Sequence, residues 1–249
     1  MPQWVEAGLW GLAGGGALVV GALIAWFVRV PRDVVAVVMA FGAGVLIAAA
    51  AFELVDEAEK TGGLLATTTG FLGGAVVYVL ANVVLARYGA RHRKRSSDQP
   101  TESEQTGSGT AIAVGALLDG VPESVVLGVS LLGGGGVGAA MVAAVVISNV
   151  PEGLSSAAGM KQAGRGPGYV FGVWGAIALV SGLSAALGNV LLHGASPQVV
   201  AVITAVAAGA ILAMVADTMI PEAFERARLY TGLCTTAGFL TAFVVERLG

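Results

Sequence analysis

Eight long apolar runs constrain this chain more than any other feature of its sequence. They cover residues 6–28, 34–55, 63–85, 111–132, 137–160, 169–192, 199–220 and 229–245. About 20 apolar residues, wound as a helix, cross the hydrocarbon core of a bilayer. Lipid offers the backbone no hydrogen bonds, so each run must satisfy its own as a helix. The sequence therefore predicts an all-α integral membrane protein. Its single transmembrane domain, 1–249, holds eight helices in a 3+2+3 arrangement. Only 12% of the residues are charged, against about a quarter in soluble domains. The lone cysteine, Cys234, excludes an intrachain disulfide and a paired-cysteine zinc site. Residues 1–28 lack a basic start and an early cleavage pattern, so the first run reads as a retained span.

Charge sets the expected orientation. With the N-terminus outside, the inner connections carry Arg29, Arg32, Arg87, Arg91, Arg93, Lys94, Arg95, Lys161, Arg165, Arg226 and Arg228, against Lys60 and Arg247 outside. That bias predicts a cytoplasmic-membrane protein with both termini extracytoplasmic. Residues 88–109 are polar, first basic and then rich in Ser, Thr, Glu and Gly. They read as a flexible cytoplasmic loop whose 91–95 cluster, with His92 inside it, rests near anionic lipid.

Residues 43–58 and 208–223 share six of sixteen positions. The first copy runs outward and the second inward, so spans 1–3 and 6–8 are predicted to be inverted repeats. Spans 4 and 5 lie between them.

Those two central spans carry the charges least expected in lipid. One reads Asp119-Gly120-Val121-Pro122-Glu123, the other Ser148-Asn149-Val150-Pro151-Glu152. Four-residue spacing puts Asp119 with Glu123, and Ser148 with Glu152, on one helix face. Proline removes a helix hydrogen bond, which predicts freed carbonyls at Leu118 and Ile147. Read as adjacent and antiparallel, the two spans offer three carboxylates, an amide oxygen and a hydroxyl. That set suits a hard or borderline divalent cation. The competing reading, acids serving as hydrogen-bonded helix glue, explains one buried acid better than a duplicated Pro-Glu pair.

These motifs resemble the ZIP (Zrt/Irt-like) family of divalent-metal transporters, in particular its bacterial GufA-like branch. That family carries His-Asn-x-Pro-Glu-Gly type motifs where 119–124 and 148–153 stand here. The resemblance extends through 8–31, 43–58, 181–188 and 208–223, and omits the loop at 87–110. It implies an eight-helix fold, a metal path between spans 4 and 5, a homodimer, and no enzymatic activity, cofactor or nucleic-acid partner. The expected metal residues are Asp119, Glu123, Ser148, Asn149 and Glu152. The departures are specific. Asp119 and Ser148 stand at histidine positions, Gly120 at an asparagine, Glu53 at a common histidine, and Ala185 and Thr218 at acids. Gly120 and Ala185 offer no side-chain ligand, which predicts one metal rather than two, and the loss of imidazole predicts either a shift toward manganese, iron(II) or magnesium or a weaker hold on zinc.

Glu53, Asp56 and Glu57 are candidate entrance residues, and Asp217 and Glu222 candidate exit residues, with Glu53 and Asp217 lying deepest. Two rivals remain. A non-transporting metal sensor or scaffold of the same fold fits the lost ligands. An intramembrane hydrolase fits poorly, since Ser148 replaces a second catalytic aspartate and no protease motif is present.

Overall fold

The structure, a computed structural model, describes residues 1–90, 93–94, 99–101, 103–104, 108–133 and 139–248. Among these there is no strand. The helices are α1 (Gln3–Phe27), α2 (Arg32–Ala49), α3 (Asp56–Ala86), α4 (Ser108–Val129), α5 (Ala139–Gln162), α6 (Pro167–Leu192), α7 (Pro197–Met214), α8 (Ile220–Ala227) and α9 (Leu229–Leu248). A π-helical segment, Ala50–Val55, joins α2 to α3, and a second, Val215–Met219, joins α7 to α8. A 3-10 turn, Ser130–Gly133, extends α4.

Seven helical stretches among the described residues are long and apolar enough to cross a membrane. One of them, Arg32–Ala86, is 55 residues long. At 1.5 Å per residue it would measure roughly 80 Å, far beyond a bilayer core of about 30 Å. Gly63 breaks it, with φ 77 and ψ 171. That backbone region is essentially closed to residues with a Cβ. The helices remain apolar on their outer faces: Leu64, Leu65, Leu72, Val76, Val77 and Leu80 of α3 are all exposed. In a bilayer such side chains need no protein partner.

Packing follows a crossed pattern. α1 lies mainly against α6, α2 against α9 and α3 against α7. Glycines set the closest approaches. A Cβ on Gly44 of α2 would lie 1.9 Å from the Thr235 carbonyl oxygen of α9, and one on Gly209 of α7 would lie 1.9 Å from that of Phe71 in α3. The reverse contacts match, Gly74 of α3 meeting Val206 O and Gly238 of α9 meeting Phe41 O, each at 2.0 Å. Backbones this close need small residues at the crossing.

Two large apolar clusters fill most of the interior, beside a small one at Ala58, Ala201 and Ala205. One joins α2, α3, α4, α5, α7, α8 and the two π segments around Met39, Leu46, Met214 and Met219. The other joins α1, α4, α5 and α6 around Leu18, Ile112, Met160 and Trp174. α4 and α5 contribute to both, which places them in the middle. Direct packing of α4 on α5 was expected, and the structure differs. The two scarcely touch; α4 leans on α6 and α5 on α1. Both continue as helix through Pro122 and Pro151.

Candidate functional site

Asp119 and Glu123 are one turn apart on α4, and Ser148, Asn149 and Glu152 occupy the middle of α5. All five are buried, Glu123 at 2% and Glu152 at 5% exposure. Glu123 and Glu152 lie within electrostatic reach of each other. Among the described residues, no hydrogen bond of ordinary geometry reaches either carboxylate oxygen of Glu123 or Oε1 of Glu152, although the Asn149 side chain lies beside Glu123. Asn149 donates its side-chain nitrogen to Gly14 O of α1 at 2.9 Å. Ser148 gives its hydroxyl proton to Val145 O within its own helix at 3.0 Å, which spends its donor locally.

Asp119 is placed differently from the other acids. Arg93 grips it in a two-pronged pair, Nε to Oδ2 and Nη2 to Oδ1, both at 2.8 Å. Tyr78 OH of α3 donates to the same Oδ1 at 2.7 Å. Arg93 also donates to Asn82 Oδ1 at 2.8 Å, to Tyr78 OH at 2.7 Å and to Ala90 O at 3.1 Å. Lys94 follows with its Nζ 2.8 Å from Glu152 Oε2 and 3.4 Å from Asp119 Oδ2. Two cations thus occupy the gap between α4 and α5. The lipid-anchor reading is corrected for these two residues, which are 1% and 5% exposed. His92 and Arg95, in the same basic cluster, lie outside the described residues.

Local structure explains how the cations arrive. α3 ends at Ala86, and Gly89 takes a positive φ of 96. The chain then turns back, so that Arg93 reaches Tyr78 and Asn82, one helical turn apart on α3. α5 holds the returning backbone: Ser155 Oγ donates to Lys94 O. Gln99 bridges Arg93 O and Ser156 O at 3.2 and 3.1 Å. Gly115 of α4 leaves room for the arginine stem, since a Cβ there would lie 2.5 Å from Arg93 Cδ. The space that remains beside Lys94, Asp119, Asn149 and Glu152 is about 10 Å³, about what one water requires. Among the described residues, no three Asp, Glu, His or Cys converge closely enough to hold an ion.

The other candidates lie apart from this cluster. Glu53, Asp56 and Glu57 line a separate cavity of about 640 Å³, together with Lys60, His193 and Glu246. There Asp56 pairs with Lys60, and Thr61 Oγ1 donates to Glu57 at 3.0 Å. Asp217, in the second π segment, is exposed. Asn82 Nδ2 lies 3.5 Å from its Oδ2, so Asn82 links Asp217 to Arg93. Glu222 sits half-buried in the first turn of α8. Ala185, at the position of an expected acid, is a packing residue pressed by Gly11 and Gly128.

Sequence reasoning missed Arg93, Lys94, Tyr78 and Asn82. A signal was present: three buried acids demanded compensating charge, and one basic cluster follows directly on the third span.

Fold and site define a multi-spanning helical membrane protein with a carboxylate cluster buried at its centre. Over 222 residues, 88% of the chain, it is 28% identical to a protein of Arabidopsis thaliana named "putative zinc transporter". The chain spans about a third of that relative's length, 35%. No protein-family model matches the chain.

Proposed function

We propose that this chain carries a divalent metal cation across the cytoplasmic membrane, through a carboxylate-rich site between α4 and α5. The observation that carries the reading is the group of buried oxygens, both of Glu123 and Oε1 of Glu152, that have no hydrogen-bond partner among the described residues. A buried carboxylate without a partner costs several kcal/mol. Such groups persist inside membranes where they serve an ion. The name of the Arabidopsis relative supports a metal as cargo, and the ZIP resemblance makes zinc the default ion. The donors at the site are oxygens with no imidazole among them, which favours harder ions such as manganese or iron(II) beside zinc. Glu123, Glu152 and Asn149 are the ligands of this reading, with Ser148 a lesser contributor. Glu53, Asp56 and Glu57 gather cations at the outer cavity, and Asp217 and Glu222 stand at the inner end.

The reading includes eight spans in a 3+2+3 layout, with Gly63 dividing the 55-residue stretch into spans 2 and 3. Two observations support it. Gln3, near the N-terminus, donates to Leu131 O, and the neighbouring Ser130 and Leu132 share a cavity with Glu246, near the C-terminus. These contacts place both termini toward one end of the molecule, which supports an even number of crossings. The crossed glycine contacts also fit an inverted repeat: exchanging α2 with α7, and α3 with α9, leaves the pattern unchanged.

Flux into proteoliposomes tests the function. Zinc and manganese uptake is expected with the wild-type chain. Glu123→Gln and Glu152→Gln should each reduce it more than about tenfold, the loss seen even for outer partners of a bound metal. Uptake unchanged in both variants would remove the site. A second reading has one observation in its favour: Arg93 and Lys94 fill the gap an ion would use. Metal binding without flux would make the chain a sensor or scaffold.

A further inference from the structure

We propose that Lys94 is a tethered competitor for the transported cation, and that Arg93 is the fixed anchor that delivers it. The inference rests on the metal-carrying reading above and adds an affinity-setting residue to that site. The two cations are held in different ways. Arg93 makes five hydrogen bonds of 2.7–3.1 Å to Asp119, Tyr78, Asn82 and Ala90. Its planar fork matches the carboxylate, an arrangement that lysine cannot reproduce. Among the described residues, Lys94 has a single close contact, at 2.8 Å to Glu152 Oε2, made by a compact charge on a flexible stem. Asp119 is therefore committed to Arg93, and Glu152 is covered by a side chain able to leave.

Charge balance favours the exchange. Among the described residues, Asp119, Glu123 and Glu152, taken ionised, face Arg93 and Lys94, which leaves one negative charge in a buried site. A divalent ion beside Lys94 would overshoot by one positive charge. A divalent ion in place of Lys94 brings the cluster to zero, the state that burial favours. Space argues the same way, because only about 10 Å³ remains open beside the ammonium. A metal that takes both oxygens of Glu152 displaces the Lys94 ammonium from Oε2. The backbone need not move for this: Ser155 and Gln99 hold the carbonyls of Lys94 and Arg93, while the lysine side chain swings out.

The test uses the full purified chain, with zinc chloride and manganese chloride as probes. Titration calorimetry of Lys94→Gln should show metal affinity raised about tenfold or more, as expected when a competing state that dominates the free protein is removed. Glu152→Gln should abolish binding in either background. A second measurement needs no variant. Acylation of Lys94 by a water-soluble active ester, followed by mass spectrometry, should be slow in the metal-free protein and several-fold faster at saturating zinc. Unchanged affinity in Lys94→Gln, with binding still lost in Glu152→Gln, overturns the competition and leaves the metal site standing. Equal acylation with and without bound zinc overturns it as well. Absence of zinc and manganese binding in both wild type and Lys94→Gln overturns the metal reading itself, and the competition with it.

Discussion

The bond between Arg93 and Asp119 decides how the centre of this molecule works. Both groups are almost fully buried, at 1% and 3% exposure, so neither can lose the other without leaving an uncompensated charge. Breaking such a pair from one side typically costs about 3–5 kcal/mol, whereas replacing both partners by apolar groups is often neutral. Arg93→Met and Asp119→Leu are each expected to lower the melting temperature in detergent, and the double variant to recover most of the loss. Simple addition of the two losses would show that the pair does not act as a unit. Gly115→Val probes the same bond indirectly. A Cβ alone would lie 2.5 Å from Arg93 Cδ, so the variant should loosen Arg93 and expose Lys94 to acylation without metal. Much at this scale was legible in advance, since intramembrane acids beside proline identify themselves by cost alone. Their counter-charges were hidden for a physical reason. Arg93 and Lys94 sit in a polar, charge-dense segment, and such composition ordinarily means solvation. Only the fold shows that the chain turns back at Gly89.

At the scale of helices, the two π-helical segments make the strongest case for an internal relationship. Ala50–Val55 and Val215–Met219 begin at aligned positions of the two stretches, 43–58 and 208–223, that match in sequence. π segments are rare and concentrate at functional positions, and these two carry Glu53 and Asp217. Six identities, five of them alanine or glycine, said little by themselves; the shared irregularity says more. Glycine contacts extend the correspondence beyond the matched residues. Gly44 and Gly209 align in the sequence match, and each meets a carbonyl of its neighbouring helix at the same 1.9 Å. Alanine at Gly44, Gly74, Gly209 or Gly238 should therefore cost about 1–3 kcal/mol through forced helix separation. Gly73→Ala, which would meet nothing within 4 Å, should be neutral or slightly stabilising through helix propensity. Thermal unfolding of the five purified variants separates the two groups. Uniform effects would mean that these crossings tolerate separation.

Across the whole molecule, the apolar runs showed where most helices lie, because the bilayer demands a length that sequence can display, although runs 34–55 and 63–85 fall within one 55-residue helical stretch. They could not fix which helices touch. α4 and α5 follow one another in the chain and share a motif, yet each packs on another helix and a gap lies between them. Contact is settled by small residues at crossings, and 38 glycines offer too many choices to read. The ends of the molecule are better determined. Glu53, Lys60, His193 and Glu246 surround one cavity; Arg29, Arg32 and Lys161 surround another, of about 510 Å³. Lysine and arginine crowd the second end, so the proposed orientation turns that end to the cytoplasm. Single cysteines in a Cys234→Ser background test this directly in intact cells. Lys60→Cys and Ser196→Cys should react with a membrane-impermeant maleimide added outside. Gln162→Cys and Arg226→Cys should react only after permeabilisation. Reaction of Lys60→Cys and Ser196→Cys from opposite sides would break the shared end, and with it the even number of crossings on which the eight-span layout depends.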